Sequence, residues 1–139
     1  MQGNTGIEAV NRYVVDTHAL FWYLTASPRL GLRARRALDE GTQGQAVIYV
    51  PVIVLAELHF LNEKAGRPLN FSEEYIRLRQ SGQVVFVPFM PEDVLDFDGD
   101  ANVSEMHDRI VVGVARRMNA VCLSRDPQIV QSSLVTTIW

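Results

Sequence analysis

Residues 13–25, YVVDTHALFWYLT, are the stretch that decides the fold. The stretch opens on a short apolar run, Tyr13-Val14-Val15, of the residue types that favour β-strands. From Thr17 onwards the residues are mostly apolar and aromatic, as in a buried helix. One carboxylate, Asp16, stands between the two patterns. The stretch therefore predicts a strand that leads directly into a helix, with an acid where the strand ends.

Outward from this stretch, strand-like and helix-like patterns alternate along the chain. Further strands are expected at 46–50, 84–87, 120–123 and 134–139. Helices are expected from Ser27-Pro28 to near Gly41 and over 52–64, 72–80 and 104–118, with a short helical turn at 91–95. Such crossover connections favour a parallel sheet that is covered on both faces. We therefore expect an α/β fold, a three-layer α/β/α sandwich with a mostly parallel central sheet of four to five strands.

The bulk properties of the chain limit its class. Its 139 residues suit a flexible segment over residues 1–11 and a single domain over residues 12–139. No apolar run approaches the roughly 20 residues that cross a bilayer, so no membrane association is expected. The single cysteine, Cys122, lies in an apolar stretch, which is typical of a packed core residue in a reducing cytoplasm.

The charge balance limits the kind of nucleic-acid contact. A formal net charge of −3 argues against a protein that coats nucleic acid by bulk electrostatic attraction. It does not exclude a nuclease, because a carboxylate site for divalent cations carries negative charge of its own. The basic residues are almost all arginines, and Lys64 is the only lysine. Arginine suits phosphate because its planar fork contacts two oxygens at once.

Two aspartates follow strand-like runs. Asp16 comes directly after residues 13–15, and Asp126 follows Leu123-Ser124-Arg125. Ligands of a parallel sheet bind outside the carboxyl ends of its strands, so both aspartates belong to the expected binding edge. Each also precedes a helical pattern and would serve as an N-cap. Taken alone, each is open between a helix cap and a functional site.

Two further acids lie on apolar helix faces. The residues three and four positions from Glu57 are all apolar, namely Ile53, Val54, Phe60 and Leu61. Asp108 shares its face with Val111, Val112 and Ala115. A carboxylate on such a face loses water, which costs free energy unless a partner compensates. Arg109 or a first-turn position would compensate Asp108, whereas the face of Glu57 offers no basic residue at these spacings.

The four acids Asp16, Glu57, Asp108 and Asp126 would meet at one edge of a parallel sheet. A convergent carboxylate cluster cannot stay fully ionised without cations. Ligation by oxygen alone selects hard ions, so we expect one or two Mg²⁺ or Mn²⁺ ions there. Such ions suit phosphodiester hydrolysis, because they activate water and stabilise charge on the phosphate. The four acids are therefore the predicted catalytic and metal-binding residues.

Four residues that flank the acids are possible substrate contacts: His18, His107, Arg109 and Arg125. A hydrogen-bonded structural histidine and a solvated arginine are the alternatives. The acidic loop, defined by Asp96, Asp98 and Asp100, supplies either an extra ligand or none. It is not a calcium loop of the EF-hand type, because it lacks that loop's glycine and glutamate. Three aromatic residues are expected in the core or between subunits, namely Phe21, Trp22 and Trp139.

In this order the four acids resemble the pattern of the PIN-domain nucleases. That family places its first aspartate in a D-T-x or D-S-x setting, here Asp16-Thr17-His18, and a second acid on the helix after the second strand, here Glu57. A third acid opens a long helix, here Asp108, and a fourth follows a late strand in a T-x-D or S-x-D setting, here Ser124-Arg125-Asp126. Each motif alone is weak, but four in order between Tyr13 and Trp139 are a strong signal.

Within that family, the chain resembles the short VapC-type toxins of prokaryotic toxin–antitoxin pairs. The resemblance implies a metal-dependent endoribonuclease that acts on RNA, forms a homodimer and is inhibited by a small cognate antitoxin. It also implies that Thr17 and Ser124 support the metal site. Two other functions stay open at this point: a stand-alone RNA-processing nuclease of the same family, and a non-catalytic PIN-like module that binds RNA or protein.

Overall fold

The computed structural model describes residues 10–139. Within that range the strands are β1 (Asn11–Val15), β2 (Ala46–Pro51), β3 (Val84–Val87), β4 (Val121–Leu123) and β5 (Thr137–Ile138). The α-helices are α1 (Thr17–Leu24), α2 (Leu32–Thr42), α3 (Val52–Lys64), α4 (Phe71–Gln80), α5 (Pro91–Leu95), α6 (Met106–Arg117) and α7 (Pro127–Gln131), and a 3-10 helix spans Phe97–Asp100. Across these described residues, no helix is both long enough and apolar enough to span a membrane.

The five strands form one parallel sheet in the order β3-β2-β1-β4-β5. In its centre, Tyr13 of β1 lies beside Ile48 of β2 on one side and Val121 of β4 on the other. Helix α2 packs against β2, and α6 packs against β1, β2 and β4. The predicted α/β fold, with a parallel sheet flanked by helices, is confirmed. The fifth strand is shorter than the run predicted at 134–139.

The hydrophobic core lies between the sheet and its helices. Val14 and Val15 of β1 are fully buried, as expected for a central strand of a parallel sheet. Gly41 of α2 packs so closely on Ile48 that an added Cβ would lie 2.0 Å from its Cγ1. Cys122 is buried in β4, and burial raises the pKa of its thiol well above the usual range. The cysteine is therefore the packed core residue that the sequence predicted.

Two boundaries near the beginning of the chain differ from the predictions. Of the segment predicted to be flexible, residues 1–9 lie outside the described residues, and Asn11 already belongs to β1. The helix predicted from Ser27-Pro28 begins only at Leu32. The side chain of Ser27 instead accepts a hydrogen bond from the Arg29 amide at 3.2 Å, which makes a turn. Serine and proline favour turns as well as helix starts, and here the turn prevails.

The strand order creates a crevice at the carboxyl end of β1. The chain runs from β1 to β2 and β3 on one side and then to β4 and β5 on the other, so the winding reverses between β1 and β4. Open parallel sheets bind ligands at such a reversal. The Asp16 amide donates a hydrogen bond to the Leu123 carbonyl at 3.4 Å and joins the two strand ends. Asp16 and the segment Ser124-Arg125-Asp126 therefore meet at this edge.

Candidate active site

A cavity of about 770 Å³ opens at this edge of the sheet. All four acids predicted from the sequence line it, namely Asp16, Glu57, Asp108 and Asp126. They come from the ends of β1 and β4 and from helices α3 and α6, so only the tertiary fold brings them together. The other polar lining residues are Thr17, His18, Lys64 and Arg125. The apolar lining residues are Trp22, Phe60, Leu61, Val111, Pro127 and Trp139.

Asp16 is both a helix cap and a member of the site. Its Oδ1 accepts a hydrogen bond from the Ala19 amide at 2.9 Å, which starts helix α1. Burial raises the pKa of Asp16, while hydrogen bonds from the Ser124 hydroxyl and the Ala19 amide partly offset that rise. The two interpretations that the sequence left open are thus compatible, because the cap fixes a carboxylate that still lines the cavity.

Glu57 is held by side chains from two other helices. Its Oε1 accepts a hydrogen bond from the Thr17 hydroxyl at 2.8 Å. Its Oε2 lies 3.2 Å from Nδ1 of His107, which also lies 2.8 Å from Oε1 of Glu105. The face of α3 itself carries neither partner, because Thr17 belongs to α1 and His107 to α6. Thr17 and His107 therefore orient Glu57, and His107 contacts acids without lining the cavity.

Asp108 lies in the first turn of α6, where Oε2 of Glu105 accepts a hydrogen bond from its amide at 2.9 Å. Burial and the surrounding carboxylates raise the pKa of Asp108 to about 7; those carboxylates are Asp126, Glu105, Asp16 and Glu57. A first-turn position favours a charged carboxylate through the helix dipole. Burial is the largest cause of the raised pKa of Asp108, and the neighbouring carboxylates add to it.

Asp126 begins the short helix α7 beside the cavity. Its Oδ1 accepts hydrogen bonds from the amides of Gln128 at 2.9 Å and Ile129 at 3.4 Å. The oxygen of the buried Ser124 hydroxyl accepts a hydrogen bond from the Asp126 amide at 3.1 Å, and the same hydroxyl lowers the pKa of Asp16. Ser124 therefore affects both aspartates at the strand ends, and its supporting role at a metal site stays a prediction.

The protein does not neutralise this group of acids with its own strong bases. Within residues 10–139, neither arginine nor lysine forms an ion pair with any of the four. Lys64 and Arg125 line the same cavity, but neither forms an ion pair with one of the four acids. The cavity consequently concentrates negative charge, which adds to burial in raising the pKa of Asp108.

The donor set fits a hard divalent cation. Every donor side chain at the four positions is a carboxylate, the type of ligand that Mg²⁺ and Mn²⁺ prefer. A cation among them would offset the repulsion that helps to raise the pKa of Asp108. In the described part of the chain, no three histidine, cysteine or acidic side chains are placed so that together they could hold a metal ion. Mg²⁺ usually keeps several waters and takes only one or two carboxylates, so it does not require three protein ligands.

Arg109, a predicted substrate contact, is occupied by the backbone. Its Nε donates a hydrogen bond to the carbonyl of Val103, and its Nη1 donates one to the carbonyl of Phe97 at 3.3 Å. It does not line the cavity. Its guanidinium therefore fixes the segment that leads into α6, whereas Arg125 is exposed and lines the cavity.

The acidic loop lies away from the cavity and is neutralised by arginine. Asp100 is fully buried and accepts hydrogen bonds from both terminal nitrogens of Arg116. Asp96 pairs with Arg117 at 2.6 Å. Asp98 is exposed and forms no ion pair within the residues that the structure describes. The loop contributes none of the side chains that line the cavity.

The aromatic residues divide between the core and the site. Phe21 is buried in the core, as predicted. Trp22 and Trp139, expected in the core or between subunits, are half-buried against the core and also line the cavity. A signal for Trp22 was present in the sequence: it follows His18 by one helical turn, and residues four apart share a helix face. The position of Trp139 depends on the strand order and had no local signal.

Comparison with known proteins identifies the fold and the family. A family model described as PIN domain matches residues 13–132. The chain resembles a chain in the crystal structure of VapBC2 from Rickettsia felis bound to a DNA fragment from the VapBC2 promoter. The TM-score is 0.68 and the sequence identity 15%, and the match covers 92% of this chain and 98% of that one. For FitAcB from Neisseria gonorrhoeae, the TM-score is 0.61, the identity 18%, and the coverage 91% and 96%. No curated protein sequence matches the chain.

Proposed function

The chain belongs to the PIN-domain family of nucleases, and on that premise we propose that it is a metal-dependent endoribonuclease that hydrolyses phosphodiester bonds in RNA. One observation carries the proposal. Four acids from four separate elements line one cavity, and within residues 10–139 none of them has an arginine or lysine partner. Acids that only support a fold are normally paired, so this arrangement favours cation binding.

The proposed cofactor is Mg²⁺ or Mn²⁺, with one or two ions at the site. Asp16, Glu57, Asp108 and Asp126 would hold it. When bound, such an ion supplies Lewis-acid stabilisation of the charge that develops on the phosphate. The proton that the raised pKa keeps on part of the Asp108 population near neutral pH would leave as the ion binds.

The other polar residues of the site orient the acids and balance their charge. Thr17 fixes one oxygen of Glu57, and Ser124 joins the two aspartates at the strand ends. Lys64 lines the cavity and would contact the RNA phosphates, which the carboxylates alone would repel, and Arg125 lines it as a proposed substrate contact. His18 lines the same wall and is a further proposed substrate contact, while His107 acts through Glu57.

More specifically, the proposed role of the chain is that of the toxin in a VapBC-type toxin–antitoxin pair. It is supported by the fold shared with VapBC2 and FitAcB and by the resemblance of the acid motifs. A cognate antitoxin would then be the inhibitor, in the cytoplasm. Exposed apolar side chains at the end of β3 and in α5, including Phe89, Met90 and Leu95, support association into a homodimer.

The partners can be tested without knowledge of the RNA target. Co-expression with the product of a small neighbouring gene should yield an inactive complex, and light scattering of the isolated chain should give twice the monomer mass. An active chain that is inhibited by no such product would favour the stand-alone RNA-processing nuclease.

The activity itself is tested by cleavage of labelled single-stranded and hairpin RNAs. The purified protein is assayed with Mn²⁺ or Mg²⁺ and with a chelator, beside Asp16→Asn and the matched control Asp98→Asn, which changes an exposed acid outside the cavity. We expect metal-dependent cleavage by the wild type and Asp98→Asn. We expect a loss of roughly hundredfold or more in folded Asp16→Asn, because a group that holds the cation is removed.

Two results would contradict the proposal. Undiminished, chelator-sensitive cleavage by Asp16→Asn would contradict the assignment of Asp16 as a catalytic, metal-binding residue. No cleavage by folded wild-type protein that is free of a bound inhibitor, over a broad panel of RNAs, would favour a module that binds RNA or protein without catalysis.

A further inference from the structure

One wall of the cavity consists of two tryptophans in contact with each other and an arginine that lies beside both. The guanidinium carbon of Arg125 lies 4.8 Å from the ring centroid of Trp22 and 5.3 Å from that of Trp139. The two indoles meet edge to face, with centroids 5.7 Å apart and planes at 79°. The ring of His18 lies 5.3 Å from Trp22. Trp22, Arg125 and Trp139 are called the stacking platform below.

The packing around Trp139 fixes the platform in place. Gly31 lies so close to Trp139 that an added Cβ would be 2.4 Å from its carbonyl carbon and 2.5 Å from Cδ1. The Arg33 amide donates a hydrogen bond to the Trp139 carbonyl at 3.2 Å. A residue with a side chain at position 31 would therefore displace the indole. The beginning of α2 holds one tryptophan, and helix α1 holds the other.

The platform adjoins the carboxylates in the same cavity. Arg125 immediately precedes Asp126, and the platform and all four acids line the same cavity. Arg125 is exposed, so its guanidinium is accessible to a ligand, and its neighbouring indoles are half-buried. The acids repel a phosphate backbone, so a nucleic acid that binds here needs a favourable contact that does not depend on net charge. Stacking of a base on planar side chains supplies such a contact.

We propose that the stacking platform binds one unpaired RNA base next to the phosphate that is cleaved, and so directs the enzyme to single-stranded or looped RNA. The proposal rests on the nuclease function proposed above. Guanidinium planes and aromatic rings are the side chains on which splayed RNA bases stack. A base inside a duplex is already stacked on its neighbours, so double-stranded RNA would not engage the platform.

Intrinsic fluorescence measures the platform directly, because Trp22 and Trp139 are the only tryptophans in the sequence. The full chain is titrated, with a chelator to prevent cleavage, with a short single-stranded oligouridine, a matched oligomer of abasic residues and a short RNA duplex. We expect saturable quenching by the oligouridine. Binding of the abasic oligomer and of the duplex should be about tenfold weaker or more, since base–aromatic stacking has that magnitude.

A conservative variant separates stacking from charge. Arg125→Lys keeps the positive charge but loses the planar guanidinium, and we expect its affinity for oligouridine to fall about tenfold. In the cleavage assay with Mn²⁺, the same variant should raise KM more than it lowers kcat. The matched control is Arg77→Lys, whose arginine pairs with Glu74 in an exposed position on α4, and it should behave as the wild type. Circular dichroism checks that both variants fold.

Each outcome decides for or against the platform. Equal affinity for oligouridine and the abasic oligomer, with Arg125→Lys unchanged, would overturn it even if the protein cleaves RNA. Base-dependent binding by a protein that cleaves nothing would keep the platform and refute the nuclease. Loss of antitoxin binding in Arg125→Lys, with its RNA affinity unchanged, would overturn the proposal and assign these side chains to the protein partner.

Discussion

Acidic residues gather at both ends of helix α6, and the two groups are compensated in opposite ways. At its start, Asp108 lies among other carboxylates, and the pKa of Asp108 rises to about 7. At its end, Arg116 and Arg117 pair with the acids of the preceding segment, namely Asp93, Asp96 and Asp100. Acidic residues therefore serve two purposes at the two ends of one helix, and the presence of an arginine partner distinguishes the two groups.

The paired end of α6 is structural. Asp93 and Asp100 have only 3% and 0% of their surface exposed, and each accepts hydrogen bonds from an arginine. Gly113 leaves room for this packing, since an added Cβ would lie 3.2 Å from Nη1 of Arg117. A buried carboxylate that has lost its water is stable only with such a partner. These ion pairs therefore hold the segment between β3 and α6 against the end of α6.

The largest expected effect on stability comes from unpairing Asp100. In Arg116→Ala the buried carboxylate keeps its desolvation cost and loses its main partner, so we expect the free energy of unfolding to fall by about 2–3 kcal/mol. Urea unfolding measures it. Arg77→Ala, which breaks an exposed pair on α4, is the control and should cost less than about 1 kcal/mol. Equal losses in the two variants would show that the end of α6 is not held by its buried pair.

A smaller effect of opposite sign is expected at the start of α6. The pKa of Asp108 in the folded protein, about 7, exceeds the ordinary value of 3.8. Between these two pH values the folded state keeps a proton that the unfolded state has released, so rising pH lowers stability until Asp108 is ionised in both states. Asp108→Asn removes this loss. Without metal, the variant should be about 1–2 kcal/mol more stable than the wild type at pH 8, after allowance for partial exposure.

The check on Asp108 is unfolding of wild type and variant at pH 5 and pH 8, with a chelator. The advantage of Asp108→Asn should grow as the pH rises. An advantage that is constant, or that shrinks towards pH 8, would mean that Asp108 does not carry the mutual repulsion of the site.

The sequence predicted the sheet and the four acids for physical reasons that are local. Strand-like runs and apolar helix faces repeat over a few residues, so Asp16 after a strand and Glu57 on an apolar face are visible without tertiary contacts. Parallel sheets bind ligands at the carboxyl ends of their strands, and this rule predicted that such residues lie at one edge of the sheet.

The sequence could not show which side chains contact each other when they lie far apart along the chain. Asp100 pairs with an arginine 16 residues later in the chain, so the sequence left open whether the acidic loop supplies an extra ligand or none. The partners of Glu57 come from α1 and α6, and Trp139 reaches the cavity only because β5 follows β4 in the sheet. Each of these placements depends on strand order rather than on a local pattern.

The smallest expected effect concerns the support of one acid. Thr17→Val removes the hydroxyl that donates to Glu57 and keeps the shape of the side chain. Stability should change by about 1 kcal/mol or less, and cleavage should fall by no more than about tenfold, because Glu57 is retained but less well oriented. Thr136→Val, at an exposed position, is the control in the same cleavage assay. A full loss of activity in folded Thr17→Val would place Thr17 among the essential residues.

The contrast between the two ends of α6 is tested most directly by Mn²⁺ binding, measured by isothermal titration calorimetry. Wild type, Asp108→Asn at the unpaired end and Asp98→Asn beside the paired end are titrated under the same conditions. The account predicts that wild type and Asp98→Asn bind Mn²⁺ equally and that Asp108→Asn binds it at least tenfold more weakly. Equal binding by all three proteins, or a loss in Asp98→Asn instead, would contradict the assignment of the acids without an arginine or lysine partner to a cation site.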